Sequence, residues 1–219
     1  MKLVLVGGHS RNVGKTSVVA GIIAGSHDLG WTAAKITQFG HGVCSINGEA
    51  CECSVSEHQF SITEERELAT GTDTSRFLDA GARRSLWVRT KQGELVSALP
   101  ALTKRIEADN YVIVESNSLR RFMKPEIYIQ VLDAANPDFK ASALQYFDMC
   151  DAYVLIRKAG QDAPSPTANV LLAREIEKNK PCFVVCEENR FISKEVIEFV
   201  RSKLDVGALD ITRRLQPAN

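Results

Sequence analysis

Residues 8–16 have the types and the spacing needed to bind the phosphates of a nucleotide. They read Gly-His-Ser-Arg-Asn-Val-Gly-Lys-Thr, between an apolar run and a helix-like run. Lys15 would place a positive charge at the β- and γ-phosphates, and the Thr16 hydroxyl can bind Mg²⁺. Backbone N–H groups and the positive end of the following helix would face the same oxygens. This pattern predicts a loop that binds a nucleoside triphosphate, with contacts from Gly8, Asn12, Val13, Gly14, Lys15, Thr16 and Ser17.

The loop departs from the usual spacing in one respect. A phosphate-binding loop usually reads Gly-x4-Gly-Lys-[Ser/Thr]. Here His9 occupies the place of the first glycine, and Gly8 comes one residue too early, so the spacing is Gly-x5-Gly-Lys-Thr. We expect Gly8 and Gly14 to provide the tight turn, because glycine tolerates backbone conformations that other residues avoid.

A carboxylate at the end of an apolar strand is the second expected part of the site. The run Tyr111–Glu115 is followed by a polar segment that contains Asn117. A buried carboxylate is costly unless it is paired or bound to metal, so we predict that Glu115 and Thr16 hold Mg²⁺. Asn117 would contact phosphate or substrate; a plain turn is the alternative.

The segment that begins at Gly71 contains two further candidates. Asp73 lies where a helix is predicted to start, so it either caps that helix or reaches the Mg²⁺. Arg76, one turn later, would then contact the phosphates. Together with Lys15 and Glu115, Asp73 completes the predicted catalytic set. Lys35, at the end of the second strand, is expected to face the γ-phosphate with Gln38 and Asn117.

Apolar runs and amphipathic segments alternate along the chain and must position these residues. The predicted strands are Lys2–Val6, Trp31–Ile36, Ser85–Arg89, Tyr111–Glu115, Ile127–Asp133, Ala152–Ile156 and Cys182–Cys186. The predicted helices are Lys15–Gly25, Thr74–Ala82, Glu94–Ala108, Ala141–Met149, Thr167–Asn179 and Ser193–Leu204. Such alternation predicts a single α/β domain over residues 1–219, with a mostly parallel sheet and helices on both faces. Together with the loop, it predicts the three-layer P-loop NTPase fold.

Residues 40–71 interrupt this alternation as a polar insertion rich in cysteine and histidine. His41, Cys44, Cys51, Cys53 and His58 lie close together in the sequence. Thiolate and imidazole groups are the usual ligands of Zn²⁺, and thiolates also hold iron–sulfur clusters. The spacing lacks the Cys-x2-4-Cys pairs of common zinc sites, so unrelated thiols are the alternative. Cys150, Cys182, Cys186, Trp31 and Trp87 are expected to pack in the core.

Composition excludes several other classes of function. Lys+Arg and Asp+Glu are 27 each, so no net charge favours nucleic acid or an anionic membrane as a partner. No apolar run is long enough to span a bilayer, and no signal-peptide pattern is present. We therefore expect a cytoplasmic protein in which the six cysteines are thiols or metal ligands.

Several of these motifs together resemble a known family, the MobB-type adaptor proteins of molybdopterin-guanine dinucleotide biosynthesis. The motifs are the early loop, the strand that ends at Glu115, and Gly71–Ala82, which reads Gly-Thr-Asp-Thr-Ser-Arg-Phe-Leu-Asp-Ala-Gly-Ala. Family members carry a similar Gly-x-Asp-[Ser/Thr]-x-Arg-x-x-x-Ala-Gly-Ala stretch, and Lys35 matches their lysine at the end of the second strand. The resemblance covers residues 1–130. It implies a dimeric, GTP-binding protein that works with a protein partner in cofactor assembly.

Other features keep two further functions open. The loop spacing is similar to that of dethiobiotin synthetase, which indicates an ATP-dependent ligase or kinase acting on a small molecule. The run Phe147–Lys158 resembles the strand before the guanine-reading Asn-Lys-x-Asp of GTPases, but residues 157–160 read Arg-Lys-Ala-Gly. The nucleotide is therefore GTP or ATP. The cysteine- and histidine-rich insertion indicates the third function, an NTPase that delivers a metal.

Overall fold

The computed structural model describes residues 1–39, 60–133, 136–157, 179–186 and 193–207. Their strands are β1 (Lys2–Gly8), β2 (Thr32–Phe39), β3 (Phe60–Glu65), β4 (Arg84–Lys91), β5 (Tyr111–Glu115), β6 (Ile127–Asp133), β7 (Ala152–Arg157) and β8 (Cys182–Cys186). Their helices are α1 (Lys15–Gly25), α2 (Asp73–Asp79), α3 (Leu95–Ile106), α4 (Ala141–Leu144) and α5 (Lys194–Lys203). Short 3₁₀ helices cover His27–Leu29, Leu119–Arg121 and Phe147–Met149.

The eight strands form one sheet in the order β3-β4-β2-β5-β1-β6-β7-β8. Every neighbouring pair is parallel except β3 and β4. Strand β1 lies between β5 and β6, and β2 lies on the other side of β5. Because the carboxyl ends of parallel strands meet at one edge, the loop after β1 lies beside the ends of β5 and β2.

Helices cover both faces of the sheet, and each face has its own core. Helix α3 packs on one face, against Leu5, Leu86 and Val112 among others. Helices α1, α2 and α5 contribute to the core of the opposite face, which contains Trp31 and Ile113. The expected three-layer α/β architecture is therefore confirmed. Among the helices of the described ranges, none is both long and apolar enough to cross a membrane.

The structure differs from the sequence-based expectation at two elements. Strand β3 was not predicted, although its residues alternate between the sheet faces, with Phe60 and Ile62 against the α3 core. The helix expected over residues 141–149 is instead α4 followed by a 3₁₀ turn. The Tyr153 hydroxyl donates to the Phe147 carbonyl (2.5 Å), so this carbonyl is bonded to β7. Most of the helix expected over 167–179 lies outside the described residues.

Candidate functional site

The loop between β1 and α1 turns sharply at its end. Gly14 has φ +86°, and a Cβ at this position would lie 2.2 Å from Ile156 Cδ1. Gly8 is required for a different reason: a Cβ there would lie 2.7 Å from Val13 Cγ2 and 2.8 Å from the Lys15 side chain. Asn12 also has a positive φ, 55°. The first glycine of the loop thus provides space for Val13 and Lys15, and the second provides the turn into α1.

Lys15 folds back over its own loop. Its Nζ donates to the Ser10 carbonyl at 3.1 Å. Burial, the largest cause, lowers the pKa of Lys15 to about 8; Lys140 and Lys35 lower it further, and Glu115 opposes them. A cation whose charge is disfavoured in this way would be stabilised by an anion placed at the loop.

His9, which replaces the usual glycine, joins the loop to β6 and the segment before α4. The ring is fully buried. The Asp133 backbone N–H donates to Nδ1 (3.4 Å), so Nε2 carries the proton and donates to the Asn136 carbonyl (3.1 Å). The His9 carbonyl accepts from the Lys140 N–H at 2.8 Å. Burial lowers the pKa of His9, which favours this neutral ring.

Asn117 joins the loop to the end of β5. Its Oδ1 accepts from the Gly8 N–H (2.6 Å), and its Nδ2 donates to the Gly8 carbonyl (2.7 Å). Both polar atoms of the side chain are thus used by backbone, and Asn117 positions the loop. Gln38 lies three residues after Lys35 on β2, so strand alternation places the two side chains on opposite faces of the sheet. The expectation that Gln38 shares the site with Lys35 is therefore wrong.

Two carboxylates, a hydroxyl and an ammonium group meet below the loop. Glu115 pairs in register with Val6 of β1 and with Lys35 of β2. The Thr16 hydroxyl donates to Glu115 Oε2 at 2.7 Å. Lys35 Nζ donates to Glu115 Oε1 (3.1 Å), lies 3.5 Å from Thr16 Oγ1, and also forms an ion pair with Asp73. The Lys35 ammonium group is thus surrounded by Thr16, Glu115 and Asp73, which come from distant parts of the chain.

These oxygen atoms have the chemistry of a Mg²⁺ site. Mg²⁺ binds through one or two carboxylates, with waters and substrate phosphates completing its shell. Lys35 Nζ now neutralises the same oxygens: burial lowers the pKa of Lys35, but Glu115 and Asp73 outweigh burial and raise it above its ordinary value. The donor set at Thr16 and Glu115 therefore fits the predicted ion.

The start of α2 excludes one of the two roles considered for Asp73. Thr72 caps the helix, because its side chain accepts from the Ser75 N–H at 3.1 Å. Asp73 instead faces Lys35. Arg76 lies 3.8 Å from Asp73 and donates to the Ser17 hydroxyl at 2.9 Å. The capping interpretation of Asp73 is thus wrong, and α2 contacts the phosphate loop through Arg76.

Sequence reasoning missed Lys140. It lies near the loop only because its backbone bonds to His9, and the positive charge of Arg11 contributes to lowering its pKa after burial, the larger cause. No local motif marks Lys140, because it lies far from the loop in the sequence. Tertiary structure alone places this cation beside Lys15.

The predicted soft-metal ligands Cys44, Cys51, Cys53 and His58, like His41, lie outside the described residues. In the ranges that are described, no group of three or more His, Cys, Asp or Glu residues has the geometry of a metal site. Cys150 is buried as expected, whereas Cys182 and Cys186 on β8 are half-buried free thiols. Trp31 is fully buried, and Trp87 is half-buried.

Comparisons with known proteins support the fold and no more. The sequence matches no protein-family profile, and no curated protein matches it. A solved structure to which the chain is similar is that of HypB from Helicobacter pylori, in complex with nickel. The identity is 15%, the TM-score is 0.50, and the match covers 92% of this chain and 86% of HypB. The chain thus has the α/β fold of P-loop NTPases, as the sequence predicted.

Proposed function

We propose that this protein binds a nucleoside triphosphate with Mg²⁺ at the loop between β1 and α1 and hydrolyses or transfers its terminal phosphoryl group. One observation carries the proposal: the Thr16 hydroxyl lies 2.7 Å from the Glu115 carboxylate, directly below a loop that ends in Gly14 and Lys15. A hydroxyl at the start of the helix and a carboxylate on the adjacent strand form the usual Mg²⁺ site of such loops.

Each residue has a distinct role in this proposal. Lys15 binds the β- and γ-phosphates, and the N–H groups around Gly14 bind their oxygens. Thr16 and Glu115 hold Mg²⁺, which would neutralise charge on the phosphates. Lys35 must then leave the oxygens that it shares with the metal. Its ammonium group becomes free to bind the terminal phosphate, while Asp73 limits how far it moves.

The more specific function that we propose is that of an adaptor NTPase in molybdopterin-guanine dinucleotide biosynthesis, which works as a homodimer with a protein partner. It is supported by the Gly71–Ala82 motif and by the place of Asp73 beside Lys35. An ATP-dependent ligase or kinase of the dethiobiotin synthetase type is the alternative. A thermal-shift panel of ATP, GTP and small carboxylates with Mg²⁺ separates the two: the first function requires GTP, and the second requires ATP with a stabilising carboxylate.

The experiment that tests the general proposal is calorimetric titration with non-hydrolysable ATP and GTP analogues in the presence of Mg²⁺. Lys15→Ala should weaken binding about 30- to 150-fold, which corresponds to the loss of a charge-assisted hydrogen bond of about 2–3 kcal/mol. Lys104→Ala, on the basic last turn of α3, is the matched control and should bind like the parent. Equal affinity of the parent and the folded Lys15→Ala variant would contradict the phosphate-loop assignment.

Metal delivery is a second candidate function, and the density of cysteine and histidine in residues 41–58 favours it. The cargo would be a transition metal such as Zn²⁺, held by thiolates and imidazoles. Protein purified without oxygen should then contain about one metal ion per chain, and changing Cys51 and Cys53 to Ser should remove it without loss of nucleotide binding. Metal-free protein with freely titratable thiols would refute this function.

A further inference from the structure

A set of polar side chains lies on the sheet face next to Lys35, beyond the phosphate loop. Thr37 follows Lys35 on β2, Trp87 and Arg89 lie on β4, and Ser61 lies on β3. Register places Trp87 beside Lys35, and Arg89 beside Thr37 and Ser61. Residues two apart on a strand share a face, so these four side chains form one surface with Lys35 at its border. We call these four residues the β4 platform.

Arg89 is held in place on this platform but has no anionic partner in the part of the chain that the structure describes. Its guanidinium lies over the Trp87 ring, 4.5 Å from the ring centroid, and one NH₂ group is 3.4 Å from Ser61 Oγ. Trp87 is itself fixed by a hydrogen bond from Nε1 to Thr37 Oγ1 (3.1 Å). Arg89 Nε is buried without a hydrogen-bond partner. Withdrawing part of a guanidinium from water without a compensating carboxylate is unfavourable.

Two other arginines of the described residues are paired with carboxylates, whereas Arg120 Nε, like that of Arg89, is buried without a hydrogen-bond partner. Arg84 binds Glu64 and Asp109, and Arg201 binds Asp28. No carboxylate of the described residues lies within ion-pair distance of Arg89. Since a stacked guanidinium offers a rigid fork of N–H donors, it suits a carboxylate or phosphate. The unused donors of Arg89 therefore point to an anion that the described residues do not supply.

Arg89 lies too far from the phosphate loop for its anion to be a phosphate of the nucleotide. Neighbouring strands are about 4.8 Å apart, so Arg89 on β4 lies about 8 Å from Lys35 in backbone position, and about 14 Å from β1, which leads into the loop. A phosphate bound at Lys15 does not reach Arg89. A small molecule anchored at Arg89 does reach Lys35.

We propose that the β4 platform binds the carboxylate or phosphate group of a second, small-molecule substrate and places the rest of that molecule at Lys35. The inference rests on the proposed function, because Lys35 adjoins the terminal phosphate only if a nucleoside triphosphate occupies the loop. It makes Arg89 a specificity-determining residue for the substrate, with Trp87 and Thr37 as positioning residues.

Trp87 provides a direct readout of this site. The chain has two tryptophans, and Trp31 is fully buried, with its Nε1 bonded to Ser26. Ligands at the platform should therefore change the fluorescence of Trp87. The full chain, saturated with Mg²⁺ and the non-hydrolysable triphosphate analogue that it binds, is titrated with inorganic phosphate in one arm and with succinate in the other.

A saturable change with either probe is expected, and the arm that saturates identifies the anionic group. Arg89→Gln should raise the dissociation constant at least tenfold, and Arg89→Lys, which keeps the charge but lacks the fork, should raise it less. Arg121→Gln is the matched control, because Arg121 also lies over an aromatic ring, that of Phe122 at 5.7 Å, away from the platform. Trp87→Phe should abolish the signal.

Two results would overturn the proposal: no saturable change with either probe, or the same dissociation constant for the parent and a folded Arg89→Gln variant. Calorimetry separates this failure from failure of the proposed function. Arg89→Gln should bind the triphosphate analogue like the parent. If the parent itself does not bind that analogue, the proposed function fails, and the inference that depends on it fails at its premise rather than at Arg89.

Discussion

At the scale of single residues, the charged groups of the site shift one another's pKa values. Lys15 and Lys35 are both partly buried, yet the pKa of the first is lowered and that of the second is raised. The difference comes from their partners. Lys35 contacts two carboxylates, whereas Lys15 donates to a backbone carbonyl. Without an anion at the loop, Lys15 is the cation that loses its proton more easily.

Nucleotide affinity should therefore depend on pH above neutrality. As pH rises through about 8, the free protein loses the Lys15 proton, so binding an anion must then take up a proton. Affinity should fall by up to tenfold per pH unit above pH 8. Calorimetry at pH 7–9.5, in buffers that differ in ionisation enthalpy, measures the proton uptake. A dissociation constant of the parent that does not change over this pH range would contradict the prediction. The affinity of Lys15→Ala should not change with pH in this way.

Glu115→Gln tests the metal role of the carboxylate. The amide keeps an oxygen for the Thr16 hydroxyl but removes the negative charge that Mg²⁺ and Lys35 share. The Mg²⁺ concentration needed for half-maximal nucleotide binding should rise at least about tenfold, or about 1.4 kcal/mol, and any hydrolysis should be lost. Glu64→Gln, whose parent carboxylate pairs with Arg84, is the control. If Glu115→Gln needs the same Mg²⁺ concentration as the parent, Glu115 does not bind the ion, and Asp73 becomes the candidate ligand.

At the scale of elements, side chains from separate strands fix the loop. Asn117, after β5, bonds to both backbone groups of Gly8. His9 bonds to backbone groups of Asp133, at the end of β6, and of Asn136, just after it. The loop is thus held from both neighbouring strands, while α2 reaches the start of α1 through Arg76 and Ser17. This arrangement explains how the loop tolerates a histidine at the usual glycine position: the ring is used as an anchor.

The His9 anchor predicts loss of stability in mild acid. Burial lowers the folded-state pKa below the ordinary 6.5, so the unfolded chain binds the proton first. The free energy of unfolding should then fall as pH drops below 6.5, with a slope of at most about 1.4 kcal/mol per pH unit from this group. Urea unfolding at pH 5–7.5 compares the parent with His9→Gln, which lacks this component. Parallel pH profiles of the two proteins would show that His9 does not anchor the loop in its neutral form.

At the scale of the whole molecule, the two cores differ in their relation to the site. The α3 core lies behind the sheet, whereas the core of α1, α2 and α5 lies directly beneath the loop and Asp73. Leu102 and Phe77 are fully buried members of the two cores. Damage to the first should lower stability alone, and damage to the second should also disturb the site.

Leu102→Ala should lower the free energy of unfolding by about 2–5 kcal/mol, and Phe77→Ala by about 3–5 kcal/mol. Urea unfolding measures both. Because Phe77 anchors the helix that carries Asp73, only Phe77→Ala should also weaken Mg²⁺–nucleotide binding, measured by calorimetry where each variant is folded. Equal losses of affinity in the two variants would refute the separation of the cores.

The class of fold and the local parts of the site could be predicted from the amino-acid sequence. Apolar runs located strands such as Tyr111–Glu115 and Ile127–Asp133 at their observed bounds, because buried parallel strands need continuous apolar residues. The loop from Gly8 to Thr16 was equally visible, since its residues are consecutive and its chemistry depends on their spacing.

Which distant residues come into contact could not be predicted from the sequence and is seen in the folded chain. That Lys35 lies between Asp73 and Glu115, and that Arg89 lies beside Thr37 and Ser61 with no carboxylate of the described residues in reach, follows from strand order and register. Neither property is encoded in a local pattern, because register depends on contacts across the whole sheet. The role of Asp73 was open for the same reason: the sequence showed a residue near a helix start, and only packing placed Thr72 at the cap and Asp73 at Lys35.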